Sequence, residues 1–141
     1  WGAIFGLDLT HNRGDIFRAF LEGIAMGTAQ VFETYEAIGQ KPRKVMAVGG
    51  GTKNNIWMQA TSDFSKIDQV VSEKSTGASY GNAFLAALAV GAVSQRDITR
   101  WNPALSKIKT QHSALHAEKN KLFRQLYESS KEIAHAVAGS A

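Results

Sequence analysis

A chain of 141 residues, 44% hydrophobic and 20% charged, has the size and balance of one globular domain that buries about two-thirds of its unfolded surface. It contains no cysteine, which excludes disulfides and thiolate metal centres, and no apolar run approaches the roughly 20 residues that span a bilayer. The net charge of +4 arises in residues 71–141, which carry nine Lys/Arg against five Asp/Glu, whereas residues 1–70 carry seven of each.

The first element in chain order is Ala3 to Leu7, short, apolar and flanked by glycines, which predicts a strand. Asp15 is a good N-cap for a helix on which Ile16, Phe20, Ile24, Val31, Tyr35 and Ile38 recur at helical spacing, until Gly39 and Pro42 stop it. Gly23 and Gly27 inside that helix cost about 1 kcal/mol each relative to alanine, so close approach of another backbone is expected on their face. Lys44 to Val48 predicts a second strand that runs directly into Gly49, Gly50 and Gly51. Asn54 or Asn55 then caps a helix over Ile56 to Phe64. A third strand follows at Gln69 to Ser72, and an alanine-rich helix, apolar on most sides and so expected to be sandwiched, at Thr76 to Gly91. Residues 94–111 read as mixed loop containing Pro103. A polar helix from about Ser113 to Val137 closes the chain, with Leu115, Leu122, Phe123, Leu126, Tyr127 and Ile133 as its expected buried side. Three strand–helix alternations of this kind indicate an α/β domain with parallel strands.

Ligands of such domains gather where strands end and helices begin, which is where "VGGGTKNN" (Val48 to Asn55) lies. The phosphate loop G-x-x-x-x-G-K-[ST] cannot be counted from any of the three glycines, and G-x-G-x-x-G from Gly49 fails at Asn54. What remains is a strand–glycine–helix turn with exposed N–H groups and a positive helix end. It can accept an anion or lie flat against a nucleoside, or it can be a tight turn that merely needs positive φ. Other motifs are weaker. "RGD" at Arg13 to Asp15 is accounted for by a turn and a helix cap, and His112 with His116 at i, i+4 fits the polar start of a helix better than a metal site. No Ser/His/Asp set and no paired carboxylates can be assembled, so no catalytic residue is assigned. The basic residues are interspersed with acids and aliphatics, the pattern of a solvated helix face, so neither nucleic acid nor membrane is an expected partner.

Several stretches together resemble the FGGY carbohydrate kinases. "GAIFGLDLTHNRGDIFRAFLEGIA" (Gly2 to Ala25) is similar to the second signature of that family, with Gly6-Leu7, Asp15-Ile16, Ala19, Leu21 and Glu22 in the expected places and Phe20 departing from it. "VGGGTKNNIWMQATSDF" (Val48 to Phe64) resembles the family's nucleotide turn and the helix after it. "TGASYGNAFLAALAVG" (Thr76 to Gly91) resembles its Gly-Ala-Ala helix with Asn82 replacing an alanine, and "NKLFRQLYESSKEI" is similar to the tail helix of xylulokinase-like members.

The resemblance implies a ribonuclease H-like, actin-like ATPase domain, here incomplete, spanning residues 1–111, with residues 112–141 as a tail helix packed on it. It further implies an ATP-dependent, cytoplasmic kinase that phosphorylates a sugar or polyol hydroxyl with ATP and Mg²⁺, a pentulose such as xylulose being favoured. By position, Gly49, Gly50 and Gly51 would meet ATP or ADP through the backbone and Asn54 would reach the base. The sugar and the catalytic aspartate would belong mainly to a first domain, so the chain, which opens on Trp1 in mid-pattern, is expected to be a piece of a longer protein and inactive alone. An unpaired edge on Ala3 to Leu7 would favour self-association. The competing expectation is a non-catalytic interaction module whose glycine turn is purely structural.

Overall fold

The computed structural model describes residues 3–74 and 76–139; Trp1 lies outside them. Helix α1 spans Arg13–Ala37, strand β1 Val45–Ala47, helix α2 Asn55–Ser65, strand β2 Gln69–Ser72 and helix α3 Ala78–Ala89. The short helix α4, Ile98–Trp101, leads to strand β3, Ala104–Ile108, and helix α5, Ala114–Gly139, completes the described chain. The sheet order is β1-β2-β3, with β1 and β2 parallel and β2 and β3 antiparallel.

Helix α1 starts three residues earlier than expected, because Asn12 rather than Asp15 is its N-cap. The Asn12 side chain accepts from the N–H groups of Gly14 (2.7 Å) and Asp15 (3.3 Å), and the Asp15 carboxylate accepts from the Asn12 N–H (2.9 Å). This reciprocal box satisfies N–H groups that would otherwise be orphaned at the helix start. The box also gives the Arg13–Asp15 tripeptide a purely local role.

Leu21, Ala25 and Ala29 form the buried stripe of α1, and Ala25 and Ala29 pack with Phe64 of α2 at the centre of the core. The small residues on this face are therefore the alanines. A Cβ added at Gly23 or Gly27 meets nothing within 4 Å, so the close backbone approach expected there does not occur among the described residues. Polar contacts join α2 to the sheet. The Gln69 amide is buried and donates to the Met58 carbonyl (2.8 Å) and to Ser62 Oγ (2.9 Å), linking the first residue of β2 to two successive turns of α2. A buried amide is tolerated only when satisfied in this way.

Three expectations are corrected. Ala3 to Leu7 forms no strand: Phe5 is 84% exposed, and the segment pairs with none of the three strands. Apolar alternation yields a strand only where a neighbour supplies the ladder, so the edge once expected to drive self-association is not formed, although its apolar side chains remain open. Conversely β3 arises inside the predicted loop, its register set by Val70 opposite Lys107 and Val71 opposite Ser106, with a bulge at Val71/Ser72. It is a largely exposed edge strand made by backbone pairing with a distant segment, which residue pattern alone does not reveal.

The third correction concerns the last two large helices. Helix α3 is not sandwiched among the described residues; only Phe84 is buried, against the edge of Trp101 at 5.4 Å. On α5 Leu115, Leu122, Tyr127 and Ile133 stand exposed, Phe123 and Leu126 are half-buried, and the buried residue is Asn120. Polar contacts hold α5 instead. Asn120 Nδ2 donates to the Phe64 carbonyl (3.0 Å), Lys119 reaches Glu22 (2.7 Å), and Arg124 pairs with Glu33. His112 Nδ1 and the Gln111 N–H contact the carbonyl and carboxylate of Asp63 at 2.8 and 2.6 Å.

Glu22 bridges α1 and α5. Burial pushes its pKa up, but hydrogen bonds and charge from Lys119 and Arg18 outweigh that and hold the carboxyl below its ordinary range. A carboxyl depressed by folding contributes stability above its unfolded value of about 4.3 and loses it as pH falls through the folded value. Glu22→Gln is therefore expected to cost about 1 kcal/mol at pH 7 and progressively less as pH falls below the ordinary carboxyl range, read as a urea-unfolding difference that narrows on acidification. A difference constant with pH would contradict the bridge.

Candidate nucleotide-binding turn

Strand β1 ends at Ala47, and Val48 leads into a 3-10 turn over Gly50–Lys53 that hands the chain to α2. The three glycines have three different physical reasons. Gly49 sits at φ 91°, ψ −176°, a conformation open essentially to glycine alone. Its carbonyl accepts from Thr52 N–H (3.2 Å) and Thr52 Oγ1 (2.7 Å), which closes the turn. Gly51 is fixed by packing, since a Cβ there would stand 2.7 Å from Cζ3 of Trp57. Gly50 has neither reason: its φ is not positive, and a Cβ would meet nothing within 4 Å. The space over Gly50 is open.

Asn54 ends the turn and caps α2. Its Oδ1 accepts from the Trp57 N–H (3.1 Å), and its carbonyl accepts from Met58 N–H (3.0 Å). With Oδ1 engaged, the Nδ2 group is a donor without a partner among the described residues. Lys53 is exposed in the last turn of the 3-10 segment. The N-terminal end of an 11-residue helix, an uncovered glycine, a spare amide donor and a lysine thus stand together at the carboxyl end of β1. Groups of this kind favour a ligand with anionic and hydrogen-bond-accepting parts.

The enclosed space beside the turn is small. A cavity of about 170 Å³ lies between Thr28, Val48, Gly51, Trp57 and Gln69, below the several hundred Å³ of a pocket that surrounds a nucleotide. The turn can form one wall of such a site. Larger grooves of about 430 and 490 Å³ run along α5, with Phe123 and Leu126 in both, Lys131 and His135 in the first and Lys119 in the second, and neither includes a residue of the glycine turn.

Comparison with known proteins decides the family. The profile of the C-terminal domain of the FGGY carbohydrate kinases matches residues 1–90. The chain belongs to the FGGY family. Xylulose kinase of Bacillus subtilis (strain 168) is 33% identical over 90 residues, 64% of this chain and 18% of its own length. Glycerol kinase 1 of Thermotoga maritima is 37% identical over 99 residues, 70% of this chain and 20% of its own. The xylulose kinase structure from Rhodospirillum rubrum superposes with a TM-score of 0.79 at 26% identity, covering 92% of this chain and 27% of that one. Plasmodium falciparum glycerol kinase, solved with ADP, gives a TM-score of 0.71 at 25% identity over 92% of this chain and 26% of its own.

This FGGY chain therefore carries the actin-like ATPase fold of those kinases and spans about a fifth of the length of the curated relatives it matches. Gly49, Gly50, Gly51 and Asn54, the residues assigned from sequence, come together in one turn. Trp57 was not singled out as a site residue; its only signal was an aromatic one turn into the helix after the glycines. The imidazoles of His112 and His116 lie instead between α2 and α5: His116 Nδ1 accepts from the Ser113 N–H (3.1 Å).

Proposed function

We propose that the chain supplies the nucleotide-holding wall of an ATP-dependent carbohydrate kinase. The observation that carries this is Gly50: neither backbone conformation nor packing asks for glycine there, and close approach of a ligand does. In this reading the backbone at Gly49, Gly50 and Gly51 lies against ATP or ADP, and Asn54 Nδ2 donates to an acceptor of the adenine base. The Asn54 cap holds that amide in place, so it pays little entropy on binding.

Nucleotide and Mg²⁺ supply the transferable phosphoryl group and its charge neutralisation. The chain's own residues orient: the turn fixes the nucleoside end, and by doing so limits where the terminal phosphate can point. A sugar or polyol hydroxyl then forms a bond to phosphorus as the bond to ADP breaks, the proton passing to a base outside this chain. A pentulose such as xylulose is the favoured acceptor, supported by the xylulose kinase relative at 33% identity and the xylulose kinase structure at a TM-score of 0.79. Residues 1–111 act as the ATPase-domain portion and residues 112–141 as a tail helix; alone, the chain is inactive toward sugars.

The test is calorimetric titration of the chain with Mg·ADP, using Asn54→Ser and Asn54→Asp as variants. Both retain an N-capping oxygen and lose the Nδ2 donors, so α2 stays intact while the base contact goes. Wild type is expected to bind with a Kd of about 1 mM or tighter, and both variants about tenfold more weakly. Equal affinities would remove Asn54 from the site. No binding by wild type would leave the turn a structural element. Light scattering of the same samples reads self-association, expected from the open apolar side chains Phe5, Phe17, Phe20 and Ile24; a monomer mass at all concentrations contradicts it.

A further inference from the structure

Gly51 and Trp57 are in a relation that neither the fold nor the nucleotide contacts require. A Cβ built on Gly51 would lie 2.7 Å from Cζ3, 3.1 Å from Cε3 and 3.4 Å from Cη2 of the Trp57 indole, so the six-membered ring closes on the space a side chain would need. The backbone of Trp57 is tied to the same turn from the other side, its N–H donating to Asn54 Oδ1. The Gly51 carbonyl in turn accepts from Asn54 N–H (3.0 Å). Gly51, Asn54 and Trp57 are thus linked in a circle: backbone to backbone, cap to backbone, and a ring that occupies the space where a Gly51 side chain would stand. Trp57 is half-buried and lines the small recess that Val48 and Gln69 also line.

We propose that Trp57 is a positioning residue for the glycine turn: its ring fixes the level at which Gly50 and Asn54 present themselves, and it dictates glycine at position 51. The inference rests on the reading of the turn as a nucleotide wall, but makes a claim about the unliganded turn that stands or falls separately. Position 51 then tolerates a side chain only when position 57 gives up its ring, and the two substitutions are coupled rather than additive. A tryptophan that merely filled space would couple to position 51 in global stability but not in local exchange of the turn amides or in ADP affinity.

The experiment is a double-mutant cycle on the full chain with Gly51→Ala, Trp57→Leu and the pair. Two quantities are read: hydrogen exchange of the Thr52 and Asn54 amides without nucleotide, and Kd for Mg·ADP. Gly51→Ala is expected to speed exchange of those two amides about tenfold and to weaken ADP by a similar factor, because the ring cannot yield without shifting the turn. In the Trp57→Leu background the same Gly51→Ala change is expected to alter both by less than about threefold. If Gly51→Ala alone fails to fold, recovery of folding in the pair is the same coupling, and failure of both while Trp57→Leu folds overturns the proposal. If Trp57→Leu itself fails to fold, Trp57→Phe, which withdraws the far edge of the indole, takes its place. Additive effects on exchange overturn the positioning role whatever ADP does. Coupled exchange with no ADP binding in any protein keeps Trp57 as the support of the turn and removes the nucleotide reading.

Discussion

Phe64→Ala is expected to lower the unfolding free energy by about 3–5 kcal/mol. Phe64 is 2% exposed and lies where α2 meets the alanine stripe of α1, against Ala25 (0%) and Ala29 (2%). Its ring also meets the edge of His116 at 5.0 Å, and its carbonyl receives the Asn120 amide, so the seam of α1, α2 and α5 closes around it. The two fully buried residues facing it are alanines, too short to reach into the space, so relaxation is left to the half-buried Met26 and His116. A domain of this size holds only about 5–15 kcal/mol in all, so the loss removes a large share of the folded population. Phe64→Leu, which keeps most of the volume, is expected to cost about 1 kcal/mol. Urea unfolding at 25 °C reads both. A Phe64→Ala loss under 1 kcal/mol would show that the centre of the core lies elsewhere.

The second large effect separates two adjacent glycines. Gly49→Ala places a side chain at φ 91°, ψ −176°, and is expected to cost about 1–3 kcal/mol of stability and to open the Thr52 contacts that close the turn. Gly50→Ala meets no atom within 4 Å and requires no forbidden dihedral, so stability should stay within about 0.5 kcal/mol of wild type. Under the nucleotide reading, however, the new methyl stands where the ligand would lie, and Mg·ADP affinity should fall at least about tenfold. The pair is informative because stability and affinity are expected to move at different positions. If Gly50→Ala bound ADP as wild type does, open space over that residue would carry no functional meaning. If Gly49→Ala were as stable as wild type, the turn would have a second accessible shape.

Much of the fold was legible in the residues because local chemistry wrote it. The glycine stop after α1, an asparagine cap for α2 at position 54 or 55 and the "KVMAV" and "QVVS" strands all depend on neighbours within a few positions. The resemblance carried by Gly2 to Ala25 and Val48 to Phe64 points to the family that the profile match over residues 1–90 shows. The failures have a common origin. Whether Ala3 to Leu7 becomes a strand, whether Ala104 to Ile108 does, and which face of α5 is covered depend on what stands across from each segment, not on the segment itself. Apolar periodicity indicates a face that can be buried; it does not supply the surface that buries it.

The glycine turn shows the division most sharply. From sequence the run of three glycines, the asparagine after it and their place between a strand and a helix were determined, and with them the expectation of a nucleotide turn. Sequence could not say why each glycine is there, since all three read alike. Only the tertiary structure separated them: a dihedral holds Gly49, the ring of Trp57 holds Gly51, and nothing in the described protein holds Gly50. The reason is physical. A backbone angle and a side-chain collision exist only once the chain has closed on itself, whereas the freedom that glycine confers is already present in the residue.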